Sequence, residues 1–124
     1  MIKALLLFGI SFCLLSVIMG AFGAHALKGK LSGYSMSVYD KAVLYQFFHA
    51  FAILFIAALG RLFNTQEFNV CGILFIFGIV LFSGSLFILA ITDVKWVGAI
   101  TPIGGMFFII SWSVLFIKIL RGNL

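Results

Sequence analysis

The sequence predicts an all-α protein of the membrane: four transmembrane helices in two antiparallel hairpins, forming one domain over residues 1–124. Three observations carry that expectation. Hydrophobic residues make up 65% of the chain and charged residues 9%, whereas a soluble domain is about half apolar and about a quarter charged. The eight Lys/Arg and three Asp/Glu residues fall in clusters, which leave charge-free windows at 4–27, 42–60, 68–92 and 96–117. Each window is close to the roughly 20 apolar residues that a helix needs to cross a hydrocarbon core. Backbone exposed to lipid must also satisfy its own hydrogen bonds, and a helix does so.

The expected spans are about 4–27, 39–62, 69–92 and 98–120. The first follows Lys3 and ends in Gly20-Ala21-Phe22-Gly23-Ala24-His25, before Lys28 and Lys30. Its apolar stretch exceeds the roughly 7–15 residues of a signal-peptide core, so it reads as a retained span. Lys28-Gly29-Lys30-Leu31-Ser32-Gly33 reads as a loop. Ser37 with Asp40 makes a capping-box pattern, which starts the second helix near Val38 and puts Tyr39 and Tyr45 at interface depth. Asn64-Thr65-Gln66-Glu67 is a tight polar turn before the third span. Asp93-Val94-Lys95-Trp96 is another, before the fourth. Thr101-Pro102 reads as a helix start, or else Pro102 kinks a helix that begins near Trp96.

Alternating spans place both termini with the 61–68 turn on one side, and the 28–41 and 93–97 connections on the other. Lys3, Arg61, Lys118 and Arg121 on the first side balance Lys28, Lys30, Lys41 and Lys95 on the second, so loop charge leaves the orientation open. These cations anchor helix ends at headgroups. No basic run is long enough to track a phosphate backbone, which excludes nucleic acid as a partner. Membrane lipids are the expected partners, together with a second copy of the chain or other membrane proteins.

Small residues supply packing seams: Ser16, Gly20 and Ala24 on the first helix, Ala50, Ala57 and Gly60 on the second, and Thr101 and Gly105 on the fourth. Gly23 and Gly84, and Pro102 at its break, belong to the same expectation. Close backbone approach at such residues drives helix association in lipid.

Polar residues collect toward the side of the 28–41 connection: His25, Gln46, His49, Asp93 and Thr101. Gln46 and His49, three apart, share a helix face. His49 falls well inside the second span, and an ionisable group there is expected to face the bundle interior and find a partner. One reading is a neutral imidazole bonded to a neighbouring helix. The other is a proton-accepting or ligand-binding pocket with His25, Gln46, Asp93 or Thr101 as partners. His25 itself is expected to latch the end of the first helix to its neighbours.

Other chemistries fit poorly. Cys13 and Cys71 fall at different depths and form no redox or zinc pattern. Two His and one Asp fall short of the four ligands of a zinc site, and both His sit toward one end, unlike a bis-His haem. No cofactor or metal is expected. The serines lack a GxSxG elbow and the chain lacks a buried acidic dyad, so no catalytic residue is assigned. The gross shape resembles the small multidrug-resistance exporters, but their coupling carboxylate in the first helix is missing here.

One resemblance matches residues in order along nearly the whole chain. "GAFGAHALK", "YQFFHA", "LFSGSLFILA" and "GAITPIGG" resemble the YgdD-like small membrane proteins, the family called domain of unknown function 423. The resemblance implies a four-helix integral protein of the bacterial inner membrane, or of a related organelle, with no established activity. The family's recurrent residues fall here on Gly20, Gly23, His25, Gln46, His49, Ser83, Gly84, Ser85, Thr101, Pro102 and Gly105. The expected role is a non-enzymatic interaction or assembly component of the cell membrane. The alternative is a small solute or ion translocator, or channel subunit, with its polar site around His25 and His49.

Overall fold

A computed structural model describes residues 1–122. It contains four long helices: α1 (Ile2–Phe22), α2 (Gly33–Leu62), α3 (Asn69–Thr92) and α4 (Thr101–Arg121). All four, with their short extensions, are long and apolar enough to cross a membrane. One π turn, Gly23–Leu27, prolongs α1, and one 3₁₀ turn, Lys95–Ala99, leads into α4.

Successive helices run antiparallel, as their contacts show. Ile2 reaches Gly60, Gln46 bonds to Phe12 and Tyr39 bonds to Met19, so α2 runs back along α1. In the same way Ala42 meets Ser83, while Cys71 meets Ser111 and Ser85 meets Thr101. The pair α2 and α3 forms the centre, with α1 against α2 and α4 against α3. In their most apolar windows the central helices bury 44% of residues, against 17% for α1 and 22% for α4. The flanking helices therefore give most of their surface to lipid.

Burial follows a seven-residue rhythm. On α2 the buried positions include Ser35, Tyr39, Ala42, Gln46, His49, Ile53, Ile56 and Gly60, stepping alternately by four and three. On α4 they are Gly104, Phe108, Ser111 and Leu115. That spacing is the seam of left-handed, shallow-angle helix packing. Lipid supplies no hydrophobic drive between helices, so close packing and interhelical hydrogen bonds must hold the seam.

Glycines set how closely the helices approach. A Cβ on Gly104 would overlap the backbone of Phe82, one on Gly78 would overlap the Phe108 ring, and one on Gly72 would meet Leu5. Gly23 lies under the Tyr39 ring in the same way. The expected seam residues differ in part. Gly20 and Gly105 have only ordinary contacts, with Val43 and Phe82, and Gly84 has open space around it. A glycine at Gly84 is therefore no packing requirement. The fourth helix uses Gly104, one residue from the expected Gly105.

Helix boundaries shift at one point that matters. The N-cap of α2 is Ser32, whose side chain accepts from the Ser35 amide at 3.0 Å. The helix therefore begins at Gly33 rather than near Val38, because Ser32 offers the same capping chemistry earlier. At 30 residues α2 is about 45 Å long, so it projects beyond a core of about 30 Å. Pro102 lies in the first turn of α4, where its missing amide costs nothing, and the irregular backbone precedes it at Lys95–Ala99. Cys13 and Cys71 are free thiols.

Candidate functional site

His49 lies at the middle of the bundle, not toward one end, as its partner Trp112 midway along α4 shows. It lies about as far from Gly33 as from Leu62, and its neighbour Gln46 bonds to Phe12, midway along α1. The imidazole is buried, with 8% of its surface exposed. It lies flat on the Phe108 ring, with centroids 3.5 Å apart and planes 8° from parallel. Gly78 makes room for Phe108, so a glycine on α3 allows a ring on α4 to stack on a histidine of α2. Phe75 and Trp112 approach the imidazole from other sides, at 5.6 and 6.3 Å between centroids.

Both ring nitrogens of His49 are engaged. Nδ1 lies 2.8 Å from the Tyr45 carbonyl oxygen, one turn back on its own helix. A carbonyl can only accept, so Nδ1 carries the hydrogen. The Trp112 indole N–H donates to Nε2 at 3.4 Å. Indole can only donate, so Nε2 presents its lone pair. The two partners together select the neutral Nδ1–H tautomer. The second bond is long compared with the usual 2.7–3.2 Å range and is the weaker of the two. This arrangement matches the reading of His49 as a neutral imidazole bonded to a neighbouring helix.

Five further buried polar side chains are also bonded. Ser83 donates to the Ala42 carbonyl at 2.8 Å, and Ser111 donates to the Cys71 carbonyl at 2.8 Å. Gln46 Nε2 donates to the Phe12 carbonyl at 3.2 Å, and Ser16 donates to the same oxygen at 2.8 Å. Ser85 lies 3.0 Å from the Phe82 carbonyl and 2.7 Å from the Thr101 hydroxyl. Ser85 has one hydroxyl hydrogen. If it goes to the carbonyl, Thr101 donates to Ser85 and ties α4 to α3. Among the described residues, no buried side-chain nitrogen or oxygen lacks a partner.

The expected cluster at one end therefore divides into separate sets. Gln46 and His49 share a helix, but Gln46 bonds toward α1 and His49 toward α4. Thr101 joins Ser85. Asp93 closes α3 in a left-handed conformation (φ 56°), which short polar side chains tolerate, and forms an exposed ion pair with Lys95 at 2.6 Å. His25 lies on the π turn, exposed, with no hydrogen bond to a described residue. Tyr39 is level with that turn, and His49 lies ten residues further along α2, about 15 Å away. The expected latch at His25 is not made.

Tyr39 makes it instead. Expected at the interface, its ring is fully buried, and its hydroxyl donates to the Met19 carbonyl at 2.6 Å. A π turn displaces the regular ladder at its start. Tyr39 fills the space left by Gly23 and gives a second donor to the Met19 carbonyl, which also accepts from the Gly23 amide. Ser111, Phe108 and Trp112 also escaped the sequence reading. A signal for the first did exist: Gly104, Ser111 and Lys118 recur every seven residues.

A family model described as a protein of unknown function, DUF423, matches residues 19–105. The chain belongs to this family. A UPF0382 membrane protein of Staphylococcus epidermidis is 48% identical over 121 residues, covering 96% of this chain and 97% of the relative. One from Staphylococcus saprophyticus is 46% identical over 117 residues, covering 93% of this chain and 95% of the relative. The UPF0382 membrane protein YwdK of Bacillus subtilis is 40% identical over 120 residues, covering 96% and 98%. No solved structure matches. This DUF423 protein is thus a multi-pass protein of the cell membrane, in a family of unknown function, as its resemblance implied.

Chemically, the centre of this DUF423 protein can hold helices in register. His49 has its donor and its lone pair occupied, and aromatic rings surround it. No group of three or more His, Cys, Asp or Glu among the described residues is placed to hold a metal ion.

Proposed function

We propose that the protein is a non-enzymatic assembly component of the membrane, a rigid helical bundle whose flanking helices associate with other membrane proteins or with further copies of itself. The observation that carries this reading is the use of the polar residues. His49, Gln46, Ser83, Ser85 and Ser111 all bond within the bundle, and most bonds run to a neighbouring helix. Groups that bound a solute, shuttled a proton or attacked a substrate would need a free valence facing a cavity. The outward faces of α1 and α4 are long, apolar and available in the plane of the membrane. Leu7, Leu14 and Ile18 mark the first, and Ile109, Phe116 and Leu120 the second.

The test places single photoreactive residues at those six positions in native membranes. The reading predicts protein crosslinks of discrete mass on one face of α1 or α4. The translocator reading predicts ion or solute flux in vesicles of the purified protein. Flux above protein-free vesicles, with only lipid adducts at all six positions, contradicts the assembly role.

A further inference from the structure

The lipid-facing side of α1 and α2 carries a crevice at the end of the bundle where the chain begins. It has a volume of about 390 Å³. Lys3 comes to it from α1 and Arg61 from α2, and Leu6, Ala57 and Ala58 form its apolar part. The two cations line one crevice because Ile2 packs against Gly60, which draws the start of α1 onto the end of α2. Both cations are exposed, and neither is ion-paired to a described residue.

The other surface crevices differ in charge. The one on the outer side of α1 and α2 at the opposite end contains Asp40. The one beside Lys118 and Arg121 also contains Glu67. The one beside Pro102 contains Lys95, whose ammonium is bonded to Asp93. The Lys3–Arg61 crevice combines two cations, no acid and an apolar floor. Its position matters too. The cations sit at the ends of their helices, where Lys and Arg are favoured at the headgroups, while Leu6 and Ala58 lie about one turn further into the spans. Ala58 is exposed and leaves space beside the helix that a larger side chain would fill.

We propose that this crevice binds one anionic membrane phospholipid, with its phosphate between Lys3 and Arg61 and an acyl chain along Leu6 and Ala58. Guanidinium grips a phosphate through two parallel N–H donors, and ammonium adds a point charge. Basic pockets between transmembrane helices are known to recognise lipid headgroups in this way. The site is independent of the assembly role proposed above.

The test is native mass spectrometry of the detergent-purified protein, titrated with phosphatidylglycerol or with phosphatidylcholine. In detergent, membrane orientation cannot affect the result. The wild type is expected to retain one phosphatidylglycerol in preference to phosphatidylcholine. Each of Lys3→Gln and Arg61→Gln should weaken retention roughly fivefold, and the double variant roughly thirtyfold. Lys28→Gln/Lys30→Gln should leave it unchanged, and the charge-preserving Lys3→Arg/Arg61→Lys should keep most of it. Helical content and melting temperature of the double variant confirm that it is folded. Equal retention by the folded double variant overturns the site. So does equal retention of phosphatidylcholine. Displacement of the lipid by inorganic phosphate would make the occupant a free anion and overturn the lipid assignment.

Discussion

The Trp112 indole donates to Nε2 of His49 across 3.4 Å, and so joins α4 to α2 over the side of α3. His49 is stacked on Phe108 of the same α4 helix. Trp112→Phe keeps an aromatic ring beside Phe75 and removes the donor. It is expected to lower stability by about 0.6 kcal/mol, the average for a membrane interhelical bond. A double-mutant cycle with His49→Phe, followed by unfolding in mixed micelles, should return a coupling of that size. Zero coupling would mean that the contact is packing alone.

Gly104 and Gly84 are predicted to behave oppositely. A methyl group at Gly104 meets the Phe82 backbone, which cannot swing aside. Gly104→Ala should cost about 1–3 kcal/mol, the usual penalty of overpacking. Gly84 has open space, so Gly84→Ala should be neutral or stabilise by up to about 1 kcal/mol through helix propensity. Thermal melts of the two variants in one detergent check the contrast.

Much of the fold was legible, for a physical reason. Four spans follow from where Lys, Arg, Asp and Glu stand, since hydrocarbon penalises charge strongly. Which face of each span turns inward was harder, because nearly every position is apolar. The informative pattern is a repeat of small and polar residues every seven positions: Gly9, Ser16 and Gly23; Ala42 and His49; Cys71, Gly78 and Ser85; Gly104 and Ser111. All of these positions are buried. The four-residue seams through Gly20 and Ala24, or through Thr101 and Gly105, fall partly beside it. The site was less legible because sequence gives the depth of His49 only as counted from the charged end of its span. Its level is set by the partners of its own turn of helix, Phe12 for Gln46 and Trp112 for His49, which lie mid-helix. Nothing local in the sequence marks Tyr39 as the partner of the Met19 carbonyl twenty residues earlier.

That tyrosine packs and bonds against the start of the π turn. Tyr39→Phe keeps the ring against Gly23 but leaves the Met19 carbonyl without its hydroxyl donor. The expected loss is about 0.5–1.5 kcal/mol, the net value of a typical hydrogen bond. Hydrogen exchange should rise at the amides of residues 20–27 and stay unchanged in α3. Exchange that rises evenly over the molecule would contradict a local role.

His25 is exposed on the same turn and bonds to no described residue. Both His25→Gln and His25→Leu are therefore expected to change stability by less than about 0.5 kcal/mol, as for ordinary surface positions. A large loss with Leu but not with Gln, read from melting in detergent, would restore the latch.

Ser83 and Ser111 each donate to a carbonyl of a neighbouring helix, at distant points of the bundle. Ser83→Ala and Ser111→Ala should each cost about 0.6 kcal/mol. Because the sites share no partner, the double variant should show the sum of the two effects within about 0.5 kcal/mol. Unfolding of the three variants under one condition measures this directly.

The central claim is that His49 is a cross-link with both nitrogens occupied. Nitrogen NMR of histidine-labelled protein in lipid bilayers at neutral pH tests it most directly. His25, exposed at the membrane surface, serves as the internal reference and is assigned by His25→Gln. For His49 the structure predicts a protonated Nδ1 and a bare Nε2, with the Nε2 signal shifting in Trp112→Phe. An Nε2–H tautomer, an imidazolium, or a ring exchanging protons with water would contradict the claim and make His49 a working group.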